Sequence, residues 1–486
     1  MKATIMLAQI VIVASIISIA GYGHCAAFGD GLAYPARSFR QAESSLAKTA
    51  GDVTPGAISS AEEAAAPRFA EQGRDRIGKT PLVSGNAREL FFLEMASAED
   101  SLASARKSKL RNDAPQPASG KTLSVPIGLL LLETGSAVDM GESAISAGYT
   151  FSMAMKRDGG LWGWGYNDKG QLGDGTTISS SVPVQSGTGY SAISAGRDHT
   201  LALKDDGTLW TWGDNEYGQL GDGSTLSRSA PVQAGSGFIM VDAGLRHSLG
   251  LKNDGSLWAW GCNENGELGD GTTVDRHAPV KVGEGYAGIA AGWYFSLALK
   301  RDGGLWGWGA NGDGQLGDGT FTDHLTPTPT GSSFTSISAG GWHALGLKSD
   351  GSLWGWGQNG SGQIGDGTMS NRGAPVLVGE GYSAIAAGGL HSLGLKSDGG
   401  LWAWGYNGNG QVGDGTTTNR HLPTQIGSWY VDIAAGGLFS LGLKNDGRLW
   451  GWGSNDYYQL GDETLTDRIA PMLVNGDFDW GMPIAE

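Results

Sequence analysis

Cysteine is nearly absent from this sequence, in which Cys25 and Cys262 are the only two among 486 residues. So few thiols provide no disulfide framework, and the fold must therefore be held by packing. Proline is also sparse, at 16 residues, and the 84 glycines follow no Gly-X-Y period, which excludes collagen. Disorder of the whole chain is excluded as well, because 40% of the residues are hydrophobic and 18 are tryptophan.

Basic residues are in deficit, since 33 Lys and Arg stand against 49 Asp and Glu, for a net charge of −16. The excess of acid lies almost entirely after residue 120. An acidic domain repels the phosphate backbone, so the composition argues against nucleic-acid binding. The sequence also lacks a phosphate-binding loop, a His-Glu-x-x-His helix and a Gly-x-Ser-x-Gly elbow. We therefore predict no catalytic residue, no metal and no cofactor.

The N-terminus has the features of an export signal. Lys2 precedes a mostly apolar run that ends at Ala20, and small residues up to Ala27 offer a cleavage point. This predicts a signal peptide over residues 1–27 and an exported protein (secreted, periplasmic or at the cell surface) with no membrane span after cleavage. The alternatives are an uncleaved membrane anchor and a lipid on Cys25. Residues 28–142, rich in Ala, Ser, Glu and Arg, are interpreted as a weakly ordered linker or pro-region, with a partner-binding helix over residues 87–110 as the alternative.

A repeat of 48 residues begins at about residue 143. The pattern Leu-Trp-x-Trp-Gly starts at residues 161, 209, 257, 305, 353, 401 and 449. A period of this length with strand-like content indicates a propeller. We assign a structural role to the fourteen tryptophans of the pattern: Trp162, Trp164, Trp210, Trp212, Trp258, Trp260, Trp306, Trp308, Trp354, Trp356, Trp402, Trp404, Trp450 and Trp452.

Each repeat predicts four strands. An Asp-Gly pair such as Asp206-Gly207 indicates a two-residue type I′ hairpin, which pairs Leu203 with Trp210 and gives the sheet one bulky and one flat face. A short small-residue strand at 144–148 suits a crowded axis, and the segment with Pro183 suits an outer edge strand. The sequence thus predicts an all-β, seven-bladed β-propeller over residues 143–478, with residues 479–486 as a tail.

These motifs resemble the regulator of chromosome condensation repeat. The resemblance rests on the Leu-Trp-x-Trp-Gly, Asn-x-x-Gly-Gln-Leu-Gly-Asp-Gly-Thr and Ala-Gly-x-x-His elements and covers residues 143–478. It implies a propeller whose ring is closed by strands from both ends of the array. The family's functions diverge, from nucleotide exchange on a nuclear GTPase to ultraviolet-B reception and, in a secreted bacterial relative, β-lactamase inhibition, so fold alone does not assign a function. Export matches the secreted bacterial relatives best.

Three sets of polar residues recur at fixed positions of the repeat, and we interpret each as structural. The set of His199, His247, His343 and His391 shares its position with phenylalanine in three blades, which indicates packing. The aspartates of the Gly-Asp-Gly turns do not converge as a calcium site requires, and the recurring arginines are expected to pair with them.

The repeats differ most at the two positions after Ala-Gly, which we expect to share one face. Arg, Trp and Tyr, the residue types typical of binding hot spots, stand there in blades two to five. We predict partner contacts by Arg197, Asp198, Arg246, Trp293, Tyr294 and Trp342. The first hypothesis is a monomeric, non-enzymatic scaffold that binds a protein or a surface polymer. The alternatives are a hydrolase or lyase with a site on the axis, and a guanine-nucleotide exchange factor like the family's namesake.

Overall fold

The computed structural model describes residues 143–475 and 479–481. The predictions for the signal peptide and the linker lie outside the described residues. In the described part the chain forms seven antiparallel four-stranded sheets, and the strands of each sheet are consecutive in sequence. The predicted seven-bladed propeller of 48-residue repeats is confirmed.

The strands are numbered in chain order. Blade 1 consists of β1 Ile145–Ala147, β2 Phe151–Met155, β3 Gly160–Gly165 and β4 Ser180–Thr188, and blade 2 of β5 Ala192–Ala195, β6 His199–Leu203, β7 Leu209–Gly213 and β8 Arg228–Gly235. Blade 3 consists of β9 Phe238–Ala243, β10 His247–Lys252, β11 Leu257–Gly261 and β12 Arg276–Gly283, and blade 4 of β13 Tyr286–Ala291, β14 Phe295–Lys300, β15 Leu305–Gly309 and β16 His324–Gly331. Blade 5 consists of β17 Phe334–Ala339, β18 His343–Lys348, β19 Leu353–Gly357 and β20 Arg372–Gly379. Blade 6 consists of β21 Tyr382–Ala387, β22 His391–Lys396, β23 Leu401–Gly405 and β24 Arg420–Gly427. Blade 7 consists of β25 Tyr430–Ala435, β26 Phe439–Lys444, β27 Leu449–Gly453 and β28 Arg468–Leu473. The first strand of each blade lines the axis.

The hairpin register predicted from the Asp-Gly turns is wrong by one residue. Leu203 pairs with Leu209, and Ala202 rather than Leu203 pairs with Trp210. The reason is the turn: only Gly207 has positive φ, at 74°, and its N–H donates to the carbonyl of Lys204. This is a three-residue loop with a type I turn and a left-handed glycine, which uses one residue more than the predicted type I′ turn.

The corrected register changes how the blades stack. Directly paired residues share a face, so the two tryptophans of a blade lie with small residues on one face and the leucines lie on the other. Trp212 and Ala202 of blade 2 pack against Met153, Met155 and Leu161 of blade 1. Each blade therefore places its tryptophan face on the leucine face of the preceding blade. Both faces of a sheet carry large side chains, and the predicted division into one bulky and one flat face is wrong.

The second tryptophan of each blade also joins neighbouring blades by a hydrogen bond. Its indole N–H donates, at 2.8–2.9 Å, to a main-chain carbonyl of the preceding blade, and the acceptors are those of Gln171, Gln219, Glu267, Gln315, Gln363, Gln411 and Gln459. These seven tryptophans are fully buried, whereas the first tryptophan of each blade is half-buried under a lysine ammonium group. All fourteen tryptophans thus take part in contacts within or between the blades.

Among the described residues, no four-stranded sheet combines strands from both ends of the array, contrary to what the family resemblance implied. Trp480 forms a β-bridge with Lys156 of blade 1 and lies 5.8 Å from Trp164, between ring centroids. The Asp432 carboxylate of blade 7 accepts hydrogen bonds from the Ser143 hydroxyl and the Ala144 N–H at the start of blade 1. Residues 479–481, predicted as a tail, therefore pack into the propeller at its closing seam.

Candidate functional site

The two variable positions after each Ala-Gly lie together at one end of the propeller. The Arg197 N–H donates to the carbonyl of Gly244, and the same blade-to-blade bond recurs at Leu245, Gly341, Gly389, Gly437 and Tyr149. The loops between the third and fourth strands lie at the same end, since the Tyr166 N–H donates to the carbonyl of Thr150. We call this end the loop face, and the opposite end, which carries the Asp-Gly turns, the hairpin face.

Trp293 and Tyr149 cover the axis at the loop face. They come from blades 4 and 1, yet their ring centroids are 5.8 Å apart. Glycine makes this contact possible, because a Cβ on Gly341 or Gly389 would lie about 3.1–3.2 Å from the Trp293 ring, and one on Gly437 would lie 2.8 Å from Tyr149. The glycines of blades 5 to 7 thus leave the space that the two rings fill.

Tyr294 and Trp342 support this aromatic cover. Trp342 stacks on Tyr294 with centroids 5.2 Å apart and meets the edge of Trp293 at 6.2 Å. Trp342 is only 4% exposed, whereas Trp293 and Tyr294 are partly exposed. Of the three aromatic residues predicted to contact a partner, Trp342 therefore positions the other two from beneath.

The predicted polar contact residues form pairs beside the aromatic cover. Arg197 is 3.1 Å from the carboxylate of Asp198, and burial raises the pKa of that carboxyl group. Arg246 donates to the Tyr217 hydroxyl at 3.0 Å, and its guanidinium group lies 4.8 Å from the centroid of the same ring. The structure therefore brings five of the six predicted residues to the accessible loop face. One group is the aromatic cover, and the other is formed by the polar pairs beside it.

Sequence reasoning missed Tyr149 as a member of this site. The signal was available, because Tyr149 occupies the repeat position that Trp293 occupies in blade 4. What the repeat alone does not show is that side chains from blades on opposite sides of the ring meet over the axis.

A cavity of about 820 Å³ follows the axis below the aromatic cover, lined mainly by small residues of the first strands. Two carboxylates, Asp242 of blade 3 and Asp432 of blade 7, also line it, and burial raises the pKa of each to about 6. Asp242 accepts hydrogen bonds from the Ser194 hydroxyl and the Ala291 N–H, both at 2.8 Å. Both carboxylates thus accept hydrogen bonds from neighbouring blades. This structural role argues against their use as the acid and base of a hydrolase or lyase site on the axis.

The recurring polar residues have the structural roles expected of them. The four buried histidines each contact a serine of the next blade through Nε2, and burial lowers their pKa to about 4 in His199 and about 3 in the other three. The arginines pair with the turn aspartates, as Arg228 does with Asp222 at 2.8 Å. Within the described residues, no group of His, Cys, Asp and Glu is placed to hold a metal ion.

Comparison with known families agrees with this architecture. A family model described as Regulator of chromosome condensation (RCC1) repeat matches seven segments, of which the first is residues 143–171 and the last is residues 430–459. A second model with the same description also matches seven segments, from residues 158–203 to residues 446–479. The chain belongs to the RCC1 repeat family. Among curated protein sequences, none matches this chain.

Two solved structures are similar to this chain in fold. Prp20p from Saccharomyces cerevisiae is 25% identical, with a TM-score of 0.59 over 67% of this chain and 88% of that chain. Human WBSCR16 is 24% identical, with a TM-score of 0.55 over 62% of this chain and 85% of its own.

Among the described residues of the RCC1-repeat chain, no helix has both the length and the apolar character that crossing a membrane requires.

Proposed function

We propose that this RCC1-repeat propeller is a non-enzymatic scaffold that binds another protein through its loop face. The observation that supports this most is the aromatic and arginine surface formed by Tyr149, Trp293, Tyr294 and Arg246 on a rigid ring. Large aromatic rings and arginine contribute most of the energy in protein interfaces. The rings bury much area with few rotatable bonds, and the planar guanidinium group of arginine stacks on rings and donates several hydrogen bonds. Protein binding also agrees with Prp20p, whose structure report describes binding to Gsp1p and histones.

Substitutions on the two faces test the proposal. We expect the triple variant Arg246→Ala/Trp293→Ala/Tyr294→Ala to lose at least tenfold in affinity for a partner captured by the native protein. Trp342 is left in place because it is buried. The matched control is Arg448→Ala/Trp429→Ala/Val431→Ala, which removes an arginine and two exposed apolar groups from the hairpin face. Equal binding by the native protein and the loop-face variant would refute the proposed face.

We propose further that the protein acts outside the cytoplasm. The support is the sequence of residues 1–27, with a basic residue, an apolar run and small residues before Phe28. Mass spectrometry of the mature protein should find an N-terminus at or close to Phe28 in an exported fraction. A retained Met1 in the cytosolic fraction would contradict export and leave the loop-face proposal to be decided by the binding experiment.

A further inference from the structure

Arg246 on the loop face is held in place without an ion pair. Its guanidinium group donates to the Tyr217 hydroxyl at 3.0 Å and lies 4.8 Å from the centroid of that ring. Asp198 and Glu216 act on Arg246 electrostatically, but neither carboxylate is close enough to form an ion pair with it. The guanidinium group is therefore fixed by an aromatic ring and keeps N–H donors for a further acceptor.

The lack of an ion pair makes Arg246 an exception among the arginines of the propeller. It is partly buried, and every other partly buried arginine in the described part of the chain pairs with an aspartate: Arg197, Arg228, Arg276, Arg372, Arg420 and Arg468. Taking a charge partly out of water without a counter-charge is costly. The exception points to an anion that a binding partner supplies.

The surroundings of Arg246 combine a polar side and an aromatic side. Asp198, Arg246 and Tyr294 occupy the same repeat position in blades 2, 3 and 4, so they follow one another around the loop face. On the polar side, Asp198 already pairs with Arg197, and burial raises the pKa of the Asp198 carboxyl group. On the aromatic side, Tyr294 and Trp293 are partly exposed. An anion at Arg246 thus has apolar rings beside it.

We propose that Arg246 binds one carboxylate of the partner through two N–H groups, while an apolar side chain next to that carboxylate packs on Trp293 and Tyr294. The planar fork of a guanidinium group matches the two oxygens of a carboxylate. The chain has a net charge of −16 and repels a long acidic segment, so the site suits a single acidic group with apolar neighbours. This inference rests on the proposed function and names what the loop face recognises.

Two pairs of short peptides test the carboxylate, one pair for each source of it. N-acetyl-Phe-Glu-amide carries the group on a side chain, and N-acetyl-Gly-Phe carries it at the chain end. Their matched controls, N-acetyl-Phe-Gln-amide and N-acetyl-Gly-Phe-amide, differ only in lacking the charge. Saturation-transfer NMR with the full chain should show one acid binding at least about fivefold tighter than its neutral control, and that pair identifies the source. Equal binding within both pairs, or no binding of any peptide up to about 10 mM, would overturn the proposal.

Variants of the full chain locate the preference for the acid. Arg246→Gln should abolish the preference, whereas Trp293→Ala should weaken the acidic and neutral peptides alike. Glu216→Gln removes a negative charge near the site and should tighten the acidic peptide by about twofold, a gain that unfolding cannot imitate. Arg448→Gln, on the hairpin face, is the matched control and should keep the native preference. A preference that survives in Arg246→Gln would contradict the assignment.

Arg246→Lys tests the fork geometry in a variant that keeps the charge. Its preference for the acid should lie between those of the native chain and Arg246→Gln, because an ammonium group cannot offer two parallel N–H bonds. A preference equal to that of the native chain would show that charge alone suffices and would reject two-point binding.

Competition by small anions decides which anion the site takes. Acetate should displace the acidic peptide at least as well as inorganic phosphate does. Stronger displacement by phosphate would assign the site to a phosphorylated partner and overturn the carboxylate. A preference for the acid with unaffected partner capture by the loop-face triple variant would reject only the proposed function. Loss of capture in that variant without any preference for the acid would reject only this inference.

Discussion

At the scale of the residue, Glu267 is the clearest departure from the repeat. The other six blades have glutamine at its position, and its side chain accepts from the Asn265 N–H while it is 1% exposed. Burial raises the pKa of Glu267 to about 7. Because this value lies above that of an unfolded glutamate, the folded chain binds the proton more tightly. The corresponding stability is present below about pH 4.5 and is lost as the pH rises through 7.

Glu267→Gln should therefore remove a pH dependence. We expect the variant to be more stable than the native protein at pH 8, by up to about 3 kcal/mol, and to differ little at pH 4.5. Urea unfolding at the two pH values measures this. The matched control is Gln315→Glu at the equivalent position of blade 4, which should introduce the same loss of stability at pH 8. A shift of the Glu267→Gln midpoint that is equal at both pH values would contradict the assignment.

At the scale of the element, the turns show where the repeat tolerates strain. The residue before the first strand of blades 3, 4 and 6 is a left-handed glycine, such as Gly285 with φ 80°. In blade 7 this residue is Trp429, with φ 71° and 65% of its surface exposed. A bulky residue in this region of φ costs of order 1–3 kcal/mol and persists only when the surrounding structure enforces it.

Trp429→Gly should consequently stabilise the fold. We expect a gain of roughly 1 kcal/mol, which is the relieved strain less the entropy that glycine adds to the unfolded chain. Denaturant midpoints provide the measurement. Ser333→Gly, at the same position of blade 5 with φ 68°, serves as the control for strain without an aromatic ring. A loss of stability in Trp429→Gly alone would show that the ring makes a contact worth more than the strain.

At the scale of the whole molecule, periodicity predicted the number of blades and their strands, because each blade is one repeat and contacts mainly its neighbours. It missed what is not periodic. The hairpin register depends on whether the turn at Gly207 contains two residues or three. The axial cover unites Tyr149 with Trp293 from across the ring. The predicted site residues were mostly found on one face because they occupy one repeat position, but their burial, as in Trp342, depends on neighbours that the repeat does not specify.

The seam between blades 7 and 1 is the least periodic part of the ring and the best test of how it closes. Trp480 is 1% exposed and packs with Trp164, Leu441 and Leu443, and its ring lies 5.3 Å from the ammonium group of Lys156. Removing a buried tryptophan costs about 3–5 kcal/mol. Trp480→Ala should lower the free energy of unfolding by that amount and open this seam first, since no covalent connection joins blade 7 to blade 1.

Hydrogen exchange resolved by blade provides the measurement. In Trp480→Ala, amides of β1, β2 and β26 should exchange faster, while those of blades 3 to 5 keep their native rates. Phe334→Ala is the matched control, because Phe334 holds the equivalent place beside Trp356 at the seam of blades 4 and 5, which a continuous chain already joins. That variant should lose similar stability without separating its blades. Faster exchange spread evenly around the ring in Trp480→Ala would mean that closure does not depend on this residue, and that the hydrogen bonds between blades hold the ring as one unit.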